Sequence, residues 1–274
     1  MIEEVTTVRD IVAHSPGFQT WHGSVRYAAQ LAAAMQASLT GLFVAARNTP
    51  VPGPRRLVAE MAAYAQDELQ RAMLAGRDFA AWANQLGVSD TRWQVAIGPA
   101  ADALAMAGDW HDLIVLQGDA TADGPVERLI GEVLLAGATC IAVPPANVAP
   151  GRLIHAMVTW DGSPASSRAL HAALPLLRSA QVVSLLQPDR EWMRIDQTDA
   201  LSHLRTQGVP VAAVETVPGV DEAASEQLLA YASDMRADLI VMGASGHRRR
   251  GERCLGPTTR AVLAQSRLPV LLKN

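Results

Sequence analysis

DLIVMGASGHRRRGERCLGPTTRAVL, residues 238–263, joins a short apolar run to an apolar helical stripe through a loop with spaced glycines. The run from Asp238 to Met242 is rich in β-branched residues, as expected of a strand covered on both faces. Gly243 and Gly246 open the loop, and Gly256 closes it with nine residues between the second glycine and the third. The stripe that begins at Ala261 places Gly256 at a helix N-cap. Glycines in such a loop let bare backbone N–H groups approach an anion at the helix start. The stretch therefore predicts an α/β fold with a nucleotide phosphate site after one of its strands.

The rest of the chain suits that reading. Its 274 residues are enough for one large domain or two ordinary ones, and 49% hydrophobic with 18% charged residues allows a substantial core. A net charge of -4 and a pI near 6.0 argue against nucleic acid as a partner. No apolar run approaches the roughly 18 residues of a membrane span. The opening residues, MIEEVTTVRDIVA, lack the basic head and apolar centre of a secretion signal. Cys140 and Cys254 make no disulfide framework, and no histidine or cysteine pair has metal-ligand spacing such as HExxH or CxxC. The expectation is a cytoplasmic protein with free thiols, no membrane or nucleic-acid partner and no metal site of its own.

One pattern is used twice. The first half predicts strands over 8–13, 39–46, 91–97, 113–116 and 139–143, with helices over 24–35, 55–86, 100–107 and 127–136. A proline- and glycine-rich linker over 144–152 follows. The second half predicts strands over 153–160, 182–186, 209–216, 239–242 and 268–272, and helices over 164–178, 198–207, 221–236 and 258–265. Ser163 and Pro164 supply an N-cap and a first-turn proline. HDLIVLQGD from His111 matches ADLIVMGAS from Ala237, and RDIVAHSPG from Arg9 lies opposite AMVTWDGSP from Ala156. Two doubly wound domains with five-stranded parallel sheets result, over 1–146 and 152–274. Ligands in such sheets sit at the carboxyl ends of the strands where the winding reverses, so Asp161 and Gly243 should face one crevice.

On these residues the chain resembles a tandem universal stress protein: VTWDGSPASSRALHAALPLL in the second half, DLIVM before the Gly243, Gly246, Gly256 loop, and the terminal LPVLLK. The resemblance implies a flavodoxin-like fold of the adenine nucleotide alpha hydrolase-like kind. Many members of that family bind ATP and others do not, and they pair as dimers or fused halves through their last strands. Residues 141–143 and 270–272 should then lie side by side, making an intramolecular pseudo-dimer; a further homodimer of whole chains is compatible with this. Carried over residue by residue, Asp161 would meet the adenine, and Met242 and Gly243 would lie at the strand end beside the nucleotide. Gly246 and Gly256 would be phosphate-loop glycines, and Thr258 and Thr259 would meet phosphate oxygens. Trp160, next to Asp161, would wall the crevice.

The chain departs from the family pattern at two prolines. Pro257 stands where serine or threonine usually follows the last glycine, and Pro188 ends the strand whose backbone often meets adenine or ribose. Each removes one N–H donor; a charge-assisted hydrogen bond is worth about 1.5–3 kcal/mol. The first half reads as a degenerate copy, with His14 in the place of Asp161 and Asp119, Asp123 and Glu132 around Gly118 and Gly131. Carboxylates there repel a polyphosphate, so no ATP is expected in that half.

His247, Arg248, Arg249, Arg250 and Arg253 are either a solvated loop surface or a clamp on a triphosphate. GASGH from Gly243 falls short of a nucleophile elbow at its fifth position, and no histidine or aspartate follows His247. The expected function is a stress-response protein whose second half binds ATP, with Mg²⁺, as a signal. No general base is evident, so any hydrolysis should be slow. The competing expectation is an interaction or structural protein whose crevice is non-functional or takes another small molecule.

Overall fold

Ten strands and nine helices alternate along the described residues, and all ten strands join one sheet. The computed structural model describes residues 7–46, 55–118, 124–145, 153–188, 199–217, 222–244 and 255–274. The first half runs β1 (Asp10–Ser15), α1 (Ser24–Met35), β2 (Ser38–Ala45), α2 (Arg55–Leu74), α3 (Gly76–Gln85), β3 (Thr91–Ile97), α4 (Ala100–Gly108), β4 (Leu113–Gln117), α5 (Pro125–Leu135) and β5 (Cys140–Val143). The second runs β6 (His155–Thr159), α6 (Pro164–Ser179), β7 (Val182–Pro188), α7 (Ala200–Thr206), β8 (Val211–Val217), α8 (Glu222–Asp234), β9 (Leu239–Gly243), α9 (Pro257–Gln265) and β10 (Val270–Lys273).

The strand order is β3-β2-β1-β4-β5-β10-β9-β6-β7-β8. Each half is therefore one doubly wound unit, the second traversed in reverse. Pairing within each half is parallel, and the winding reverses between β1 and β4 and again between β6 and β9. The halves meet through an antiparallel pair in which Val270 faces Ala142, Leu271 faces Ile141 and Leu272 faces Cys140. Two would-be edges seal each other there, as anticipated from the strand ends. Cys140 is buried and free, and burial pushes its thiol up to about 12, against a smaller lowering by Lys273.

β4 and β9 are apolar along their length because helices cover both sheet faces. One core layer joins α1 and α6 to the sheet, and the other joins α4, α5, α8 and α9. Asp112 and Asp238, which precede these strands, do the same job in each half. Asp112 Oδ2 accepts N–H bonds from Arg9 and Asp10 at 2.7 and 3.1 Å, and Asp238 Oδ2 accepts them from Ile154 and His155 at 2.7 and 3.2 Å. These bonds fix the entry of the first strand beside the fourth.

The single helix expected over 55–86 is broken. The Trp93 indole N–H donates to the Ala72 carbonyl at 2.8 Å, and Gly76 packs so closely that an added Cβ would sit 3.3 Å from Trp93 Cβ. The carbonyl that α2 loses to the indole helps end the helix there, and α3 begins at Gly76. No helix among the described residues is long and apolar enough to cross a membrane.

Candidate functional site

Where β6 stops, Trp160 N–H donates to Leu186 O at 2.9 Å, continuing the ladder, and Asp161 then turns the chain into α6. Asp161 Oδ1 accepts the Ser163 N–H at 2.9 Å, and Ser163 Oγ caps α6 by accepting the Ser166 N–H at 3.1 Å. Pro164 fills the first helical position, as its fixed φ favours. Burial of the Asp161 carboxyl raises its pKa, but hydrogen bonds from Ser163 and Ser166 outweigh this and hold it below the usual carboxylate range. The group is thus an anion committed to the turn, half-buried at the switch point.

Beside it, β9 ends at Gly243. A Cβ there would lie 2.4 Å from Ser166 N, 2.7 Å from Ala165 C and 2.8 Å from Ser166 Cα, all backbone of α6. Gly243 is glycine because the first turn of α6 lies directly on it. Ala244 N–H is bonded to Lys273 O at 2.9 Å, so this amide belongs to the sheet and is not open to a ligand. Across the loop, Gly256 caps α9 with φ -68 and ψ 160 and no side-chain hydrogen bond. The buried Thr259 hydroxyl donates to Gly243 O at 3.3 Å and ties the helix start to the strand end. Among described residues, the first α9 bond is Arg260 N–H to Gly256 O at 3.0 Å. The N–H groups of Thr258 and Thr259 stand ahead of it, as first-turn amides do.

Gly243 is thus held between the first turn of α6 and Thr259 of α9, and Asp161 is joined to the same turn of α6 through Ser163. Met242 is buried in the core, so only its backbone reaches the strand end. Trp160 packs on the α1 and α6 core layer and its Nε1 donates to Ser167 Oγ at 3.3 Å. Pro188 ends β7 in register with Val217. Gly246, His247, the loop arginines, Ser245 and Cys254 lie outside the described residues. Sequence reasoning overlooked Ser166, the backbone neighbour of Gly243; the signal was the short spacing from Asp161 to the Ser163 cap.

In the first half the reading of Gly131 as a loop-closing glycine is corrected. Gly131 is buried inside α5, and the cap is Gly124, at φ -74 and ψ 167, followed by Pro125. Gly124–Pro125 thus repeats Gly256–Pro257, with only residues 119–123 between it and Gly118. Glu132 accordingly lies within the helix. Glu127, in the first turn of α5, instead faces Arg260 of the first turn of α9 at 3.8 Å, linking the halves. The placing of His14 opposite Asp161 is also corrected: Ile11 pairs with Leu113 as Ala156 pairs with Leu239, which sets His14 in the place of Thr159, within the strand, and Pro16 in that of Asp161. Burial pushes the His14 pKa below the usual imidazole value.

Residues 155–272 match the universal stress protein family. A universal stress protein from Archaeoglobus fulgidus DSM 4304 has a similar structure, at TM-score 0.69 and 14% identity, covering 98% of this chain and 97% of that one. A functionally unknown protein from Pseudomonas aeruginosa PAO1 superposes at TM-score 0.57 and 14% identity, over 97% and 92% of the two chains. At such identities the likeness concerns the fold. No curated protein matches the chain at a significant level. The second half of the chain is a universal stress protein domain, and the chain as a whole takes the fold of that family.

Proposed function

We propose that the C-terminal half binds an adenine nucleotide, ATP together with Mg²⁺, above the carboxyl ends of β6 and β9. The observation that carries this is the convergence at the winding reversal. Asp161, Ser163, Ser166, Gly243 and Thr259 form an unbroken chain of contacts that seats the α9 N-terminus beside the end of β9. The first-turn amides of Thr258 and Thr259, at the positive end of the helix dipole, suit a phosphate group. Asp161, an anionic acceptor at the other wall, suits the exocyclic amine or ribose hydroxyls of a nucleoside. Among the described residues no group of three or more His, Cys, Asp or Glu side chains could hold a metal, so Mg²⁺ would travel with the phosphates.

In this reading the bound nucleotide acts as a signal in a cytoplasmic stress response. The halves, 1–146 and 152–274, work as an intramolecular pseudo-dimer. Thermal-shift titration with ATP, ADP and AMP tests this: ATP should raise the melting temperature, and Gly246→Val should abolish the rise without unfolding the protein. A melting point unmoved at millimolar ATP rejects the proposal.

A second reading has its own support. Gly243, Asp161 and Thr259 each have a duty in packing or capping, so their presence does not require a ligand. A structural or interaction role with a crevice that takes no nucleotide is the outcome that a flat titration would establish.

A further inference from the structure

α1 and α6 occupy corresponding places in the two halves, and one of the positions at which they differ lies beside the opposite half. Tyr27 stands eight residues before Met35, the end of α1, and His171 eight before Ser179, the end of α6. Their cross-half neighbours correspond too, Asp238 for Tyr27 and Asp112 for His171. Tyr27 is fully buried, and its phenol pKa is raised first by burial and then by the Asp238 carboxylate nearby. His171 and Asp112, by contrast, line a cavity of about 340 Å³ between α6 and the first half. The space that the phenol occupies on one side of the pseudo-dyad is open on the other.

The cavity carries both signs of charge on an apolar wall. Val8 and Leu113 of the first half and Leu174 of α6 supply the apolar surface, with Arg178 on the same helix face as Leu174. Arg178 Nε donates to Gln207 O at 2.7 Å and Nη2 donates to Gln207 Oε1. Of the five guanidinium N–H donors, three remain for a ligand, and the fork is held rigid by the two already used. His171 Nδ1–H donates to Ser167 O at 2.7 Å, which orients the ring, and His203 packs on it at 4.5 Å between centroids. Asp112 Oδ2 is taken up by two backbone N–H groups, and its other oxygen can accept. The volume falls at the small end of the range for ligand pockets, about 300–1,000 Å³.

We propose that this cavity binds an apolar α-amino acid as its zwitterion. The carboxylate meets Arg178, the ammonium meets Asp112, and the side chain covers Val8, Leu113 and Leu174. None of these residues belongs to the crevice above β6 and β9, so the inference stands or falls apart from nucleotide binding.

Calorimetry and thermal shift on the full chain test it with three probes: L-leucine, 4-methylpentanoate, which lacks the amine, and isoamylamine, which lacks the carboxylate. Leucine should bind once per chain, and each half-molecule at least about ten-fold more weakly, since losing one charged contact is worth that much. His171→Tyr installs the residue that fills the equivalent space in the first half and should abolish leucine binding. Arg178→Met should weaken it by about ten-fold or more. Circular dichroism identifies variants that have kept the fold, and ATP titration of His171→Tyr should match the parent chain. No heat with millimolar leucine, equal affinity for 4-methylpentanoate, or full affinity in either folded variant overturns the proposal.

Discussion

Replacing Gly243 with alanine tests the packing at the site in a measurable way. The added Cβ would stand 2.4 Å from Ser166 N, whereas ordinary van der Waals contact begins at 3.4 Å, so strand and helix must part by about 1 Å. The obstructing atoms are backbone within the first turn of α6, already fixed by the Ser163 cap and by Asp161. No side chain can swing away. Overpacking of this kind costs about 1–3 kcal/mol. For a chain of this length that corresponds to a fall in melting temperature of roughly 2–5 °C.

The first half supplies the comparison. By the repeat, Gln117 stands where Gly243 does, and a side chain is tolerated there because α1 starts only at Ser24, well past the end of β1. Urea unfolding followed by circular dichroism gives the cost directly. A change in stability smaller than about 0.5 kcal/mol, the usual size of a neutral surface substitution, would refute the packing argument. A variant as stable as the parent but unable to bind ATP would mean that the glycine serves ligand approach instead.

Three further outcomes follow from the same structure. Leu271→Ala, at a fully buried position in the strand pair joining the halves, should cost about 2–5 kcal/mol in chemical denaturation. Thr259→Val removes the hydroxyl bonded to Gly243 O and should cost about 0.5–1.5 kcal/mol in the same assay, a loss absent if that bond does not form in solution. Asp161→Asn should lower stability at neutral pH. The folded-state pKa of Asp161 lies below its unfolded value, so its contribution is present above the unfolded value of 3.8 and disappears as pH falls through the folded one. Melting curves of parent and variant should converge in that acid window; a gap that stays constant there would assign the effect to something other than ionisation.

Much of the architecture was legible because hydrophobic period and turn residues agreed with each other. The apolar runs at Leu113 and Leu239 could only be strands covered on both faces, and the repeat of their surroundings implied the pseudo-dyad. The break between α2 and α3 was not legible, since it depends on the Trp93 indole reaching Ala72 from a strand distant in sequence. The juxtaposition of Gly243 and Thr259 was legible from the strand–loop–helix reading, but their packing duties were not. Gly243 looks in sequence like a glycine opened for phosphate, yet its neighbours show a helix lying on it. Gly131 misled because spacing alone could not distinguish a helix-interior glycine from a cap, whereas Gly124–Pro125 carried the better signal of an N-cap followed by a first-turn proline.

The most direct measurement is titration calorimetry of the full chain with ATP and Mg²⁺ for stoichiometry. The account predicts one nucleotide per chain, with the heat lost in Asp161→Ala and preserved when His14 is replaced by alanine. Two nucleotides per chain, or no binding at all, would contradict it.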